Sequence, residues 1–209
     1  MIQVLIADDH SVVRKGLKQI LLDEFPDAHI EEVDNAEDLI SKAIKGKWDV
    51  IISDLSMPGR SGLDALHQLK AFFSRLPVLI MSIHPEDLYA IRVLKAGAAG
   101  YLSKNTAPDE LVKAVRLVLA GKKYLSPTMA EKLANSIGGD HSKMPHEYLS
   151  DREFDVLKLL AAGKPVSEIA LQLSLSVTTV STYRARIMQK MHMKSNADLT
   201  MYAMEHKLL

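Results

Sequence analysis

The chain has 209 residues, 47% hydrophobic and 25% charged, ordinary proportions for a folded globular protein that exclude a wholly disordered chain, a collagen and a coiled-coil rod. It has no cysteine, which excludes disulfides, thiolate nucleophiles and cysteine-ligated zinc or iron–sulfur centres. Its 26 Lys+Arg balance 26 Asp+Glu, and no apolar run approaches the roughly 18 residues of a membrane span, so the sequence reads as cytoplasmic with no membrane partner.

The chain opens on an apolar run, Val4-Leu5-Ile6-Ala7, closed by Asp8-Asp9. Met1 to His10 lacks the basic start of a signal peptide. Val12, Val13, Leu17, Ile20 and Leu21 then recur at helical spacing. Ile30 to Val33 is a short strand candidate, followed by a helical set at Leu39, Ala43 and Ile44. A second apolar run, Val50-Ile51-Ile52-Ser53, is closed by Asp54. Helical spacing returns in Leu63, Leu66, Leu69 and Phe73. The run Val78-Leu79-Ile80-Met81 is closed by Ser82, and Leu88, Ile91, Val93 and Leu94 form the next helix. Gly100 to Ser103 is a strand candidate closed by Lys104, before a helical set at Leu111, Val115, Val118 and Leu119. Short runs rich in branched apolar residues predict strands buried on both faces. Five strand–helix units in about 120 residues predict a five-stranded, parallel, doubly wound α/β sheet with helices on both faces. Its crossovers are right-handed, and its ligands belong at the carboxyl ends of the strands.

The alternation stops at Gly121 and Ser126-Pro127. A helical stretch from Met129 to Ile137 follows. Residues 138–145 are polar, aperiodic and rich in glycine, as a linker is. Beyond Ser150 every pattern is helical. The expected organisation is a first domain over 1–122, a linker with a short helix over 123–147 and a small all-α domain over 148–209. Charge is uneven along it. Met1 to Lys122 carries 15 Lys/Arg against 17 Asp/Glu, and Tyr148 to Leu209 carries 8 against 6. Between Glu168 and Asp198 there is no acidic residue, while Arg184, Arg186, Lys190 and Lys194 all fall there. That is one local basic face.

Three carboxylates, Asp8, Asp9 and Asp54, stand at strand ends that this sheet can bring side by side. Like charges that close resist joint ionisation, and a divalent cation relieves the conflict. Mg²⁺ suits them, being hard and oxygen-seeking. Ser82 adds a hydroxyl and Lys104 an ammonium at the same rim. The set suits phosphoryl transfer to a carboxylate, with Asp54 attacking in line. Taken singly, each Asp reads better as a turn residue or helix cap and Lys104 as a solvated edge; together, on four strand ends, they point to a site.

In the all-α part, Ser150 and Glu153 form a capping box, and Phe154, Leu157 and Leu160 give an apolar stripe stopped by Gly163. A short helix over Val166 to Leu173 is followed by the turn Ser174-Leu175-Ser176. A longer helix over Val177 to Met191 keeps Val177, Val180, Ile187 and Met191 inward. It turns Thr178, Ser181, Thr182, Ala185, Arg186, Gln189 and Lys190 outward, with Arg184 near the inward edge and its head snorkelling. A last helix runs from Asn196 to His206. This is the helix-turn-helix pattern. Its outward residues suit DNA: cations for phosphates, and small side chains and Arg for base edges.

Two resemblances rest on these residues. Ile6-Ala7-Asp8-Asp9-His10, Asp54-Leu55-Ser56-Met57-Pro58-Gly59, Met81-Ser82 and Gly97-Ala98-Ala99-Gly100-Tyr101-Leu102-Ser103-Lys104 together resemble the receiver domain of two-component response regulators, whose sheet is flavodoxin-like. The resemblance implies that Asp54 is phosphorylated by a sensor histidine kinase. It implies Mg²⁺ held by Asp8, Asp9, Asp54 and the backbone carbonyl of Ser56. It makes Lys104 a partner of the phosphoryl oxygens, Ser82 the switch hydroxyl and Tyr101 the coupled aromatic. Leu149-Ser150-Asp151-Arg152-Glu153, Glu168-Ile169-Ala170 and Ser176-Val177-Thr178-Thr179-Val180-Ser181 resemble the LuxR-type DNA-binding domain of the NarL/FixJ family. This implies that Val177 to Lys190 enters the major groove of double-stranded DNA and that the last helix pairs two subunits into a homodimer. The pattern departs from that family at Pro165, Ser181 and Tyr183. The departures move base reading to Thr182 and Arg186 and leave Thr179, Tyr183 and Arg184 for phosphates.

The expected function is thus a phosphorylation-controlled transcription regulator rather than an enzyme. Two alternatives stand beside it: DNA binding independent of phosphate, and a phosphohydrolase with Asp54 as nucleophile, for which no general acid/base stands beside Asp54. A nicotinamide-binding domain is disfavoured, since no Gly-x-Gly-x-x-Gly follows the first strand. Ser56 and His84, each two residues past a key group, are expected to set the lifetime of the phosphoryl group by controlling water access.

Overall fold

The computed structural model describes residues 1–57, 61–131 and 144–209. The chain forms two compact units, Met1–Gly138 and Gly139–Leu209. In the first, strands and helices alternate: β1 (Gln3–Ala7), α1 (Ser11–Glu24), β2 (His29–Val33), α2 (Ala36–Lys45), β3 (Val50–Asp54), α3 (Gly62–Phe72), β4 (Val78–Ser82), α4 (Glu86–Lys95), β5 (Gly100–Ser103) and α5 (Pro108–Leu119). All pairs are parallel, in the order β2-β1-β3-β4-β5. This is the expected five-stranded doubly wound sheet.

The strand sequences explain the order. β3 and β4 are buried along their whole length, and β1 from Val4 onward. Strands with no exposed face need apolar residues at every position, and these have them apart from the polar residues at their carboxyl ends. β2 carries Glu31 and Glu32 and lies at the edge, where charge discourages pairing with another chain. The direction of winding reverses between β1 and β3, which opens a crevice at their carboxyl ends. Register aligns the ends: Ala7 pairs with Ser53, Asp54 with Met81 and Ser82 with Ser103. Asp54 and Ser82 are therefore the last residues of their strands, not the first of the loops.

Helix α3 starts hard against this rim. Ser61 closes a capping box with Asp64, and the Gly62 N–H donates to the Leu55 carbonyl at 2.9 Å. A Cβ at Gly62 would overlap the backbone carbonyl oxygen of Asp54, so only glycine lets the helix begin there. Gly97, at φ +99°, turns the chain from α4 into β5 in the left-handed region.

After α5 the chain is helical again over 127–131, starting earlier than the expected Met129. The rest of that stretch, and the linker glycines at 138 and 139, lie outside the described residues. The second unit opens with a 3-10 turn, Pro145–Tyr148, where the sequence showed only aperiodic linker and its flank. It continues with α6 (Asp151–Ala161), α7 (Val166–Gln172), α8 (Val177–Met191) and α9 (Asn196–Glu205). Phe154, Leu157, Leu160, Ile169, Val180, Ile187 and Leu199 are at most 1% exposed and make its core. Among the described residues no helix is long and apolar enough to cross a membrane.

Replacing Gly62 by Ala forces either α3 or the end of β3 to move. Overpacking of this kind costs about 1–3 kcal/mol. Urea unfolding of the first unit should show that loss; an unchanged midpoint would mean that α3 shifts freely.

Candidate functional site

Three strand ends meet at one ammonium. Lys104, following β5, lies 2.7 Å from Asp8 Oδ2 and 2.7 Å from Asp54 Oδ2. Asp8 is 1% exposed and Asp54 3%. Burial pushes the Asp54 carboxyl above its ordinary value, against the pull of Lys104. Burial acts to lower Lys104, but the two carboxylates outweigh it and hold the ammonium above its ordinary value. Asp54 Oδ1 accepts the Ser56 N–H at 3.2 Å, and Asp8 Oδ1 accepts the His10 N–H at 2.8 Å.

Carboxylate or imidazole atoms of Asp8, Asp9, His10 and Asp54 all lie within 4.8 Å of one another. Asp9 Oδ1 is buried without a hydrogen bond. His10 Nδ1 approaches it to 2.6 Å, an ion-pair distance without hydrogen-bond alignment. A buried carboxylate oxygen without a donor calls for a cation, and this oxygen-rich set fits a hard divalent ion.

Around the pocket runs a polar belt. Ser82 is fully buried. Its Oγ accepts the His84 N–H at 3.1 Å, and its side chain lies beside the Tyr101 hydroxyl. That hydroxyl donates to the His84 carbonyl at 2.7 Å. Tyr101 is 3% exposed, more enclosed than a half-buried strand aromatic, and burial pushes its phenol up to about 12. The His84 ring stacks on Tyr89 with centroids 4.9 Å apart, and its Nε2 lies 2.9 Å from Ser56 Oγ. The two residues expected together to control water access thus touch each other.

On α8, Thr178, Ser181, Thr182, Arg186 and Lys190 are exposed, and Thr179, Tyr183 and Arg184 partly so. The first turn of the helix holds no acidic residue, which leaves its N-terminal dipole open to an anion. Val177, expected inward, is 53% exposed. It sits in the first turn, beside exposed Ser176 and Thr178, ahead of the buried stripe that starts at Val180. Arg184 Nε donates to Asn196 Oδ1 at 2.8 Å, which ties α8 to the start of α9. Lys190 Nζ donates to Glu153 Oε2 at 2.6 Å.

Two residues escape the sequence reading, and a third is read only in part. His10 belongs to the carboxylate cluster, and its signal was direct succession to the Asp pair. Gly62 sets where α3 begins, and its signal was a glycine in a first helical turn eight residues past Asp54. Glu153 is a capping residue that also neutralises Lys190 from 37 positions away, and nothing local signals that.

The comparisons with known proteins agree with this geometry. Residues 4–116 match the model of the response regulator receiver domain. Residues 147–203 match that of the bacterial regulatory proteins of the luxR family. The chain is 36% identical over 209 residues to the response regulator UvrY of Escherichia coli K12, covering 100% of this chain and 96% of the relative. It is also 36% identical over 210 residues to the response regulator GacA of Pseudomonas aeruginosa, covering 100% and 98%. Among solved structures, RcsB of Salmonella enterica serovar Typhimurium, bound to promoter rprA with the phosphomimetic BeF3−, is similar at TM-score 0.66 and 30% identity, with 97% and 98% of the two chains covered.

Lys190 and the Ser150 N–H together hold the Glu153 carboxyl below its ordinary 4.5, although burial acts the other way. As pH falls through about 4.5, the unfolded chain takes up this proton before the folded one does. The stabilisation is therefore complete above that pH and is lost between it and the lower folded value. Amide exchange at buried Phe154 and Leu157 should accelerate over this window, and Glu153→Gln should remove that part of the pH dependence. An equal pH slope in the variant would rule the pair out as the cause.

Proposed function

Because this chain belongs to the response regulator family, with a LuxR-type helix-turn-helix domain behind a receiver, it is a phosphorylation-dependent DNA-binding transcription regulator of a two-component system, and from that premise we propose the roles of its residues. Asp54 is the phosphoacceptor. One of its carboxylate oxygens attacks the phosphorus carried by the histidine of a sensor kinase. The P–N bond breaks as a P–O bond forms, leaving an acyl phosphate and a free imidazole. The observation that carries this reading is the ammonium of Lys104 shared by Asp8 and Asp54 in a buried pocket.

Asp8, Asp9, Asp54 and the backbone carbonyl of Ser56 would hold Mg²⁺. Once bound, the ion supplies charge neutralisation for the phosphoryl oxygens. Lys104 turns from the two carboxylates to a phosphoryl oxygen. Ser82 donates a hydrogen bond from its hydroxyl to another. Phosphorylation adds about −1.5 to −2 charge and new acceptors, so the phosphorylated state has contacts that the resting state lacks, as a population shift requires. Moving from 1:99 to 99:1 takes about 5.5 kcal/mol, within reach of several charge-assisted hydrogen bonds. Tyr101 carries the change into the loop at His84, and the receiver then frees the helical domain to pair as a homodimer on double-stranded DNA.

In that domain α8 is the recognition helix. Thr182 and Arg186 read bases; Thr178 and Ser181 line the same face. Thr179, Tyr183 and Arg184 face phosphates. Lys190, its charge shared with Glu153, contributes less to DNA and more to holding α8 on α6. The protein works in the cytoplasm. It accepts phosphate stoichiometrically, and steady turnover of small phosphate esters would instead mark it as an enzyme.

Asp54→Asn should abolish both the phosphoryl adduct in intact-mass spectra and the gain in operator affinity produced by a small phosphodonor with Mg²⁺. An unchanged gain in the variant would make DNA binding independent of this site. Substituting both Ser56 and His84 by Ala should change the rate of phosphate release, since water then reaches the acyl phosphate; the same rate in both proteins would remove their role. Arg186→Ala should cost about 1–3 kcal/mol on operator DNA and less on random DNA. Equal losses on both would assign Arg186 to the backbone.

A further inference from the structure

The stretch after α5 is seated on the receiver at two points. The Tyr124 N–H donates to the Ala99 carbonyl at 2.8 Å, and Tyr124 bridges Gly100 in parallel register, a one-residue extension of the sheet beyond β5. A Cβ at Gly100 would stand 2.8 Å from the Tyr124 carbonyl oxygen, so glycine permits the approach. Tyr124 is 6% exposed, and its hydroxyl donates to Glu110 Oε2, in the first turn of α5, at 2.7 Å. Two residues on, the Ser126 hydroxyl donates to Glu86 Oε1, in the first turn of α4, at 2.7 Å. Ser126 Oγ also accepts the Met129 N–H at 3.1 Å, and Met129 is 2% exposed. Residues 122–131 thus cross the α4–β5–α5 side with one carboxylate anchor on each helix.

The two anchors differ in what stands behind them. Glu86 is four residues from Ser82, through Ile83, His84 and Pro85. His84 accepts from the Tyr101 hydroxyl through its carbonyl, donates to Ser82 through its N–H, and stacks on Tyr89 of α4. A displacement of Ser82 and Tyr101 must pass through His84 into the first turn of α4. Glu110 lies on α5, which this route does not touch.

We propose that the Ser126–Glu86 hydrogen bond is the switchable anchor of an intramolecular strap. When Asp54 is phosphorylated the start of α4 moves, this bond breaks, and the strap changes its hold on the chain that leads to the DNA-binding domain. Tyr124 stays seated on Gly100 and Glu110 as the fixed point. The proposal rests on the roles given above to Asp54, Ser82 and Tyr101.

Operator titrations of the full chain at one salt concentration, with and without a small phosphodonor and Mg²⁺, give a ratio of affinities for each protein. Glu86→Ala and Ser126→Ala should each lower the wild-type ratio about two- to tenfold, the span of one hydrogen bond. The double variant should fall no further than either single one. Glu86→Gln keeps the accepting oxygen and should keep the ratio, as should Tyr124→Phe. Glu86→Ala leaves the Ser126 cap on Met129 intact, so its loss of ratio separates switching from helix capping. Intact-mass spectra should show equal phosphorylation throughout. Wild-type ratios in both alanine variants would overturn the proposal, and so would an equal loss in Tyr124→Phe. A ratio of one in wild type itself would overturn the phosphorylation reading, and the strap with it.

Discussion

Lys104 places one positive charge between two buried carboxylates, Asp8 and Asp54, each 2.7 Å away. In a low-dielectric pocket the two negative charges would repel, and one would have to protonate. The ammonium of Lys104 offsets that repulsion, at the cost of stripping water from itself. Its attraction is therefore large but divided, and a phosphoryl group on Asp54 would offer the ammonium a stronger partner. Removing the lysine would leave buried charge uncompensated, a strongly unfavourable change. Asp54, Lys104 and Asp8 depend on one another for their electrostatic state.

That arrangement needs strands in register. β1, β3 and β5 each bring one of the three charged groups, and β4 brings Ser82 between them. The order β2-β1-β3-β4-β5 sets the ends of β1 and β3 side by side where the winding reverses. Gly62 lets α3 begin against the Asp54 backbone, and Gly100 lets Tyr124 close the far edge. Both glycines work by absence of a side chain where backbones approach closely. The polar belt from Ser56 through His84 to Tyr101 then links the pocket mouth to Tyr89 of α4.

The helical unit follows a similar economy. Glu153 completes the capping box of α6 and also takes the ammonium of Lys190 from α8. Arg184 links α8 to Asn196 at the start of α9. Two of the four cations in the acid-free stretch, Arg184 and Lys190, are thus partly engaged within the unit, while Arg186 stands exposed on the outer face of α8.

Much was legible in the sequence because two simple periods decide it. Apolar runs such as Val50-Ile51-Ile52 and spacings such as Leu63, Leu66 and Leu69 fix strands and helices locally, and the alternation of the two leaves few topologies. Asp8, Asp9, Asp54, Ser82 and Lys104 were visible because each closes a strand run, where parallel sheets hold ligands. What the sequence could not give were contacts between residues far apart in the chain whose types carry no local signal. Ser56 against His84, Ser126 against Glu86 and Lys190 against Glu153 join positions separated by 28, 40 and 37 residues. Val177 looked inward by spacing, yet a helix end that its neighbours do not cover has no inside. Short-range pattern determined the elements and the candidate chemistry; which side chains share a proton or a charge was decided only by packing, because those interactions depend on ångström distances that periodicity does not encode.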